Sequence, residues 1–112
     1  MGNNQLYKGS LATIILKLLG EKGRMYGYQI TQEVKALSEG EFVITEGALY
    51  PALHKLEADG LLTVEIEMTG NRMRKYYSIT PTGKREVVDR MAEMELFIRQ
   101  MQVLLNPKID LA

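Results

Sequence analysis

The 112-residue sequence contains no cysteine and no tryptophan, and its 14 basic residues are balanced by 14 acidic ones. The lack of cysteine excludes disulfides, thiolate metal sites and cysteine nucleophiles, and it fits a reducing compartment, so we expect a cytoplasmic protein. No apolar run is long enough to cross a membrane, and the first ten residues lack the apolar core of a signal peptide. The zero net charge argues against a nucleic-acid binder, because such proteins are usually basic.

The composition also argues against an enzyme. Hydrophobic residues make up 46% and charged residues 25% of the chain, which is typical of one compact globular domain. A chain this short has little material left to enclose a deep active site. The single histidine, His54, has neither the partners of a metal site nor those of a catalytic triad. We therefore expect no catalytic residue, no metal and no cofactor.

The charge balance hides an uneven distribution along the chain. Residues 1–35 carry five basic and two acidic residues, whereas residues 36–60 carry one basic and five acidic residues. Residues 61–80 carry three basic and two acidic residues, and the three cations lie within four positions. The overall neutrality is therefore compatible with a locally basic surface.

Three helices are predicted in the first 60 residues. Ser10 is a good N-cap and Gly20 a good helix stop, so the apolar segment between them predicts a buried helix near residues 10–21. A second, amphipathic helix follows, and a third begins after Thr45 as its N-cap and stops at Gly60. The core faces are predicted to carry Ile30, Val34 and Leu37 in the second helix, and Leu49, Leu53 and Leu56 in the third.

The hydrophobic period then changes from that of a helix to that of a strand. Val64, Ile66 and Met68 alternate with polar residues, which predicts a strand with one buried face. A TGNR turn leads into MRKYYSIT, a second strand whose Tyr77 and Ile79 are expected to face the core. The two strands form a hairpin with three cations at its tip, namely Arg72, Arg74 and Lys75.

Thr80 and Pro81 predict the start of a last helix, because an N-cap is followed by proline at the first helical position. The helix can run to about residue 106, a length of roughly 39 Å. The small domain cannot cover all of its apolar stripe, so we expect a second copy of the chain to do so in a two-fold dimer. A ligand cavity at the dimer centre is the alternative use of its methionines. The expected dimerisation residues are Val87, Met91, Met94, Phe97, Ile98, Met101 and Leu105.

Three helices followed by a hairpin is the order of a winged helix-turn-helix, an α+β fold that is mainly α with a small β-hairpin. We expect this domain in residues 1–80, and a long dimerisation helix with a tail in residues 81–112. In such a domain the third helix enters a DNA groove and the hairpin, or wing, flanks it. Some winged helices dock proteins instead, so a dimeric interaction module without DNA binding is the alternative.

The outward face of the third helix suits close approach to DNA. Small and aromatic residues lie opposite the core leucines, with almost no acid in the first half of the helix. Small residues let a backbone come close to a groove wall, and tyrosine can bind phosphate. The alternative is that the first turn packs against a partner domain. The residues expected to face DNA are Gly47, Ala48, Tyr50, Pro51, His54 and Lys55.

Two local features leave alternatives open. If the third helix begins at Glu46, Pro51 is interior and should bend it; otherwise the helix begins later. The cations of the hairpin tip predict contacts with phosphates or the minor groove, and a solvated turn is the alternative.

Four motifs follow one another in the chain: YGYQI at 26–30, EGALYPAL at 46–53, LEADGLL at 56–62 and RKYYSIT at 74–80. Together they resemble the PadR family of bacterial and archaeal transcriptional regulators over about residues 8–106. The single C-terminal helix is similar to that of the short PadR subfamily.

The resemblance implies a homodimeric repressor that binds a palindromic operator in double-stranded DNA and is released by a small planar or apolar effector. Some short family members stack flat drugs between tryptophans at the dimer centre; in this chain, which lacks tryptophan, Phe97 or the methionines would take that role. By position, the resemblance assigns DNA contacts to Tyr26, Tyr28, Thr45, Gly47, Ala48, Tyr50, Pro51 and His54, and to Arg72, Arg74 and Lys75 of the wing.

Overall fold

The computed structural model describes the backbone of residues 4–106 and the side chains of residues 9–106, so the expected tail at 107–112 lies outside the described residues. The described chain contains four helices and a three-stranded sheet, which confirms the predicted α+β order. The elements are α1 (Asn4–Lys22), β1 (Met25–Tyr26), α2 (Gly27–Leu37), α3 (Glu46–Ala58), β2 (Leu62–Thr69), β3 (Arg72–Ile79) and α4 (Pro81–Leu105).

The sheet is antiparallel with the strand order β1-β3-β2. β2 and β3 form the predicted hairpin, which we call the wing, and its register runs from Leu62 opposite Ile79 to Thr69 opposite Arg72. A two-residue turn closes it, and Gly70 takes a φ of 63° in the left-handed region that such turns require. β1 was not predicted, because two residues are too short to show an alternating pattern. It pairs Met25 with Tyr77 and Tyr26 with Tyr76.

The core lies where the first three helices meet the base of the wing. α1 contributes a fully buried set at its centre, as its uniformly apolar sequence predicts, and the leucine stripe of α3 is buried as expected. The predicted start of α1 is wrong, because the helix begins at Asn4 and Ser10 lies inside it instead of capping it. The largest side chains with almost no exposure are Ile15, Leu16, Leu19, Ile30, Leu49, Leu53, Leu62 and Tyr77.

Three predicted core positions are wrong. Leu37, the last residue of α2, is 64% exposed because the helix ends beyond the edge of the core. Ile66 and Met68 are 58% and 64% exposed, because the wing extends past the helices that cover its base. Alternation correctly identified the face of the strand, but only Leu62 and the half-buried Val64 on that face reach the core.

α4 begins as predicted and is fastened to the domain at its first turn. The Thr80 side chain oxygen accepts a hydrogen bond from the Gly83 N–H at 3.0 Å, and the Thr80 hydroxyl donates to the Gly60 carbonyl at 2.8 Å. A Cβ at Gly83 would overlap the Leu61 carbonyl, so only glycine allows this close approach. Val87, expected at a dimer interface, is instead buried in the core of its own chain.

Candidate nucleic-acid interface

α3 begins at Glu46, directly after its predicted N-cap. The Thr45 side chain oxygen accepts a hydrogen bond from the Ala48 N–H at 3.2 Å, which satisfies one of the free donors of the first turn. Pro51 therefore lies inside the helix, at its sixth position, and the alternative of a later start is wrong. Proline has no N–H to donate to the Gly47 carbonyl one turn earlier.

The outward face of α3 is largely as the helical spacing predicts. Gly47, Pro51 and His54 are exposed. Ala48 is half-buried and packs against the core, so it lies at the inner edge of the expected DNA-facing set. Lys55 is exposed and pairs with Asp59, with 3.3 Å between Nζ and Oδ2.

Tyr50 joins α3 to the start of α2. Its hydroxyl lies against the backbone of Gly27, where any Cβ would overlap the end of the tyrosine side chain. The other side of the ring is near His54, with ring centroids 6.5 Å apart, and 37% of the residue stays exposed. Tyr50 therefore sets the approach of two helices as well as presenting an aromatic surface, a role that the sequence did not indicate.

α2 starts at Gly27, directly after Tyr26 as its N-cap. The Tyr26 N–H donates to the Gln29 side chain at 3.1 Å, an arrangement in which the third residue of a helix reaches back to its N-cap. Tyr26 is also the strand partner of Tyr76, which places the start of α2 beside the wing. Tyr28 is exposed and Tyr26 is half-buried.

A surface groove of about 770 Å³ lies between the start of α2, Tyr50 and the wing. It brings together six of the predicted DNA-contacting residues from three separate parts of the sequence. The other six, Thr45, Gly47, Ala48, Pro51, His54 and Lys55, lie on or before α3 and do not line it. The groove is lined by Tyr26, Gly27, Tyr28, Tyr50, Arg72, Met73, Arg74, Lys75 and Tyr77.

The three wing cations have different surroundings. Arg74 is half-buried, and its guanidinium lies over the Tyr26 ring at 4.3 Å from the centroid. Arg72 and Lys75 are exposed, and within residues 9–106 neither forms an ion pair. Two of the cations thus present free charge, whereas the third is partly held by an aromatic ring.

Arg24 is a neighbour of this groove that the sequence did not single out. Its guanidinium lies 4.4 Å from the centroid of the Tyr76 ring and pairs with both acids of β2, at 3.0 Å from Glu65 Oε1 and 2.7 Å from Glu67 Oε2. The hydrogen bond to Glu67, together with the charges of the two carboxylates, raises the pKa of Arg24 even though desolvation opposes the shift.

Two kinds of site are absent from the part of the chain that the structure describes. No group of three histidine, cysteine or acidic side chains there could hold a metal ion. No helix there has the length and apolar character needed to cross a bilayer.

The predicted dimerisation residues divide into two groups along α4. Val87 is buried and Met91 packs half-buried against the core, so both contribute to the domain itself. Met94, Phe97, Ile98 and Leu105 are exposed, and Met101 is half-exposed. An apolar groove of about 500 Å³ runs beside the exposed group between α1, α2 and α4, and its lining includes Ile14, Leu18, Leu37, Met94 and Ile98.

Comparison with known proteins relates both the sequence and the fold to bacterial regulators. The model of the transcriptional regulator PadR-like family matches residues 15–89. A transcriptional regulator of Mycobacterium tuberculosis is 36% identical over 77 residues, which are 69% of this chain and 69% of that protein.

Two solved structures are similar over most of the chain. A transcriptional regulator from Clostridium thermocellum superimposes with a TM-score of 0.84 and 31% identity, covering 91% of this chain and 96% of the other. PadR from Bacillus subtilis, solved in complex with operator DNA, superimposes with a TM-score of 0.66 and 33% identity. That match covers 72% of this chain and 46% of the other, so the likeness to the DNA-bound protein concerns under half of its length.

Proposed function

Because the chain belongs to the PadR-like family of transcriptional regulators, we propose that it binds a palindromic DNA operator as a homodimer and represses transcription until a small effector releases it. The family is one of regulators and not of enzymes. The resemblance of the four sequence motifs is thereby confirmed, while the operator, the dimer and the effector belong to the proposal.

The observation that carries the proposal is the groove between α2, α3 and the wing. It places free cations of the wing next to the exposed tyrosine Tyr28 and the aromatic side of α3. Cations and tyrosine hydroxyls are the groups that bind phosphate, whereas the outward residues of α3 are the ones suited to the major groove. The related Bacillus subtilis PadR was solved in complex with operator DNA, which supports DNA binding by this chain.

The exposed half of α4 supports the homodimer. Beyond Met91 the helix keeps large apolar side chains in contact with solvent, and the pattern continues to its end, where Leu105 is 73% exposed. An exposed apolar surface on a helix that extends beyond the core of its domain is typical of a protein–protein interface. Two-fold pairing of α4 would cover this surface and would relate two copies of α3 by the same axis.

The apolar groove beside α4 supports a small apolar effector. It combines Met91, Met94 and Ile98 with residues of α1 and α2, so its shape depends on how α4 lies against the domain. Methionine side chains adapt to ligands of different shape. An effector seated there would act on the angle of α4, and through it on the spacing of the two recognition helices.

The test is a footprint on the DNA upstream of the protein's own gene. Two protected half-sites, centred about one helical turn apart, are expected for a dimer with one α3 in each of two successive major grooves. Added planar aromatic compounds should shorten or remove the footprint. A protein that is retained neither by this fragment nor by heparin at low salt would instead be the interaction module that dimerises without DNA.

A further inference from the structure

Four side chains form a continuous stack across the outer face of the sheet. Tyr26 and Tyr76 are register partners and meet edge to face, with centroids 5.4 Å apart. Each ring also carries an arginine, since Arg24 lies over Tyr76 at 4.4 Å and Arg74 lies over Tyr26 at 4.3 Å. The two arginine–tyrosine contacts are diagonal contacts between neighbouring strands. Long and aromatic side chains can bridge the distance between such diagonal positions.

Arg24 is the member of the stack that reaches all three strands. It precedes β1, it lies on Tyr76 of β3, and it binds Glu65 and Glu67 of β2. No other ion pair within residues 9–106 links the wing to the rest of the chain. Arg24 therefore links both strands of the wing to the segment that precedes α2.

The two acids held by Arg24 lie close to the expected phosphate contacts. In the register of the wing, Glu67 is opposite Arg74 and Glu65 is opposite Tyr76, so both share the outer face with that cation. Two free carboxylates in this place would repel the DNA backbone and offset the charge of Arg74. One guanidinium bound to both of them reduces that repulsion.

Resting on the proposed function, we infer that Arg24 is a positioning residue for the wing: it fixes the hairpin beside α2 and compensates Glu65 and Glu67, without itself contacting DNA. Its Nη1 is shared by the two carboxylates and its guanidinium lies over the Tyr76 ring, so its positive charge is already balanced by two acids of its own chain. Arg72 and Lys75, which have no such partners among the described residues, are the direct phosphate contacts.

The experiment compares salt dependence, because direct and indirect roles differ there. Binding of the duplex upstream of the protein's own gene is followed by fluorescence anisotropy over a range of salt concentrations. Arg24→Ala should weaken binding about fivefold, because it removes one exposed cation–π interaction and two exposed ion pairs, with the slope of log K against log salt unchanged. Lys22→Ala, which removes a cation two positions away that pairs with Glu33 of α2, is the matched control and should bind as wild type does.

A second comparison repeats Arg24→Ala in a Glu65→Gln/Glu67→Gln background. If Arg24 acts by holding the two acids, its removal should cost little there. A direct phosphate contact predicts the same weakening in both backgrounds and a slope of log K against log salt that is smaller by about one. Either of these results overturns the inference. Binding by Arg24→Ala that equals that of the wild type also overturns it. Circular dichroism verifies that each variant is folded. A wild-type protein that binds neither this duplex nor heparin overturns the proposed function instead.

Discussion

At the scale of single residues, a close contact joins Gly27 to the end of the Tyr50 side chain. The tyrosine hydroxyl occupies the space in which every other amino acid would place its Cβ. A side chain at residue 27 would therefore displace the end of Tyr50, which forms one wall of the candidate interface.

We predict that Gly27→Ala destabilises the protein by about 1–3 kcal/mol, the usual cost of adding a methyl group to a filled space. Gly47→Ala is the matched control, because it also lies in the first turn of a helix and its Cβ would meet nothing closer than 3.9 Å. That change should stabilise the protein by roughly 0.5–1 kcal/mol through helix propensity. Thermal unfolding followed by circular dichroism compares the two, and equal melting temperatures would contradict the role given to Tyr50.

Several residue roles could be predicted from sequence and others could not. The caps Thr45 and Thr80 were identified because capping is local, and it follows from the residue type and its position before a helix. The stack of Arg24, Tyr76, Tyr26 and Arg74 was missed because it joins two segments about 50 positions apart through a two-residue strand. The spacing of residues within one segment cannot predict a contact between two distant segments.

At the scale of elements, the wing and α4 each extend beyond the core that holds them. Sequence pattern identified the face and the approximate ends of both elements, because side-chain spacing reports orientation. It could not indicate where along each element the core stops, since that depends on the lengths of the helices packed against them. Ile66 and Met68 on the wing are exposed for this reason, and Val87 on α4 is buried for the same reason.

The wing should contribute affinity without sequence preference. Replacing Arg72, Arg74 and Lys75 together by alanine is expected to weaken binding to all duplexes and to lower the salt slope by about 0.9 for each phosphate that is no longer neutralised. Because Arg74 is held by Tyr26, Arg72 and Lys75 should account for most of the change.

The control for this prediction removes three exposed cations elsewhere, Lys17, Lys84 and Arg85. It leaves the same net charge as the wing variant. Band-shift titration at several salt concentrations separates the two, and an equal decrease of slope in both variants would mean that the wing makes no specific interaction with phosphate.

At the scale of the whole molecule, a zero net charge is combined with an uneven distribution of the charged residues. The chain has no net charge, yet the free cations of the wing line the same groove as Tyr50 of α3. A single domain of this kind should bind DNA weakly, since long-range attraction depends on net charge. Useful affinity for an operator would then require two linked domains, each adding its own contacts.

Ile98→Glu should therefore act on both assembly and DNA binding. A carboxylate in the apolar stripe of α4 is expected to give a monomer, because a buried unpaired charge is strongly unfavourable at an interface. Light scattering measures the mass, and anisotropy should show a large decrease in operator affinity with little change in binding to heparin. Glu95→Gln, three residues away on the same helix, is the control and should remain dimeric. An Ile98→Glu variant of unchanged mass would refute the role given to this stripe.

The two hydrogen bonds of Thr80 fasten the first turn of α4 to the residue that follows α3 and its C-cap. α4 is about 37 Å long at 1.5 Å per residue, so it works as a lever. A tilt of about 5° at the dimer end would displace the domain end by about 3 Å, a large fraction of the rise of one base pair. In the proposed dimer, a ligand would need to change the angle of α4 by only a small amount. The length of the helix converts that change into a displacement of the two α3 helices, whose spacing then no longer matches the helical repeat of DNA.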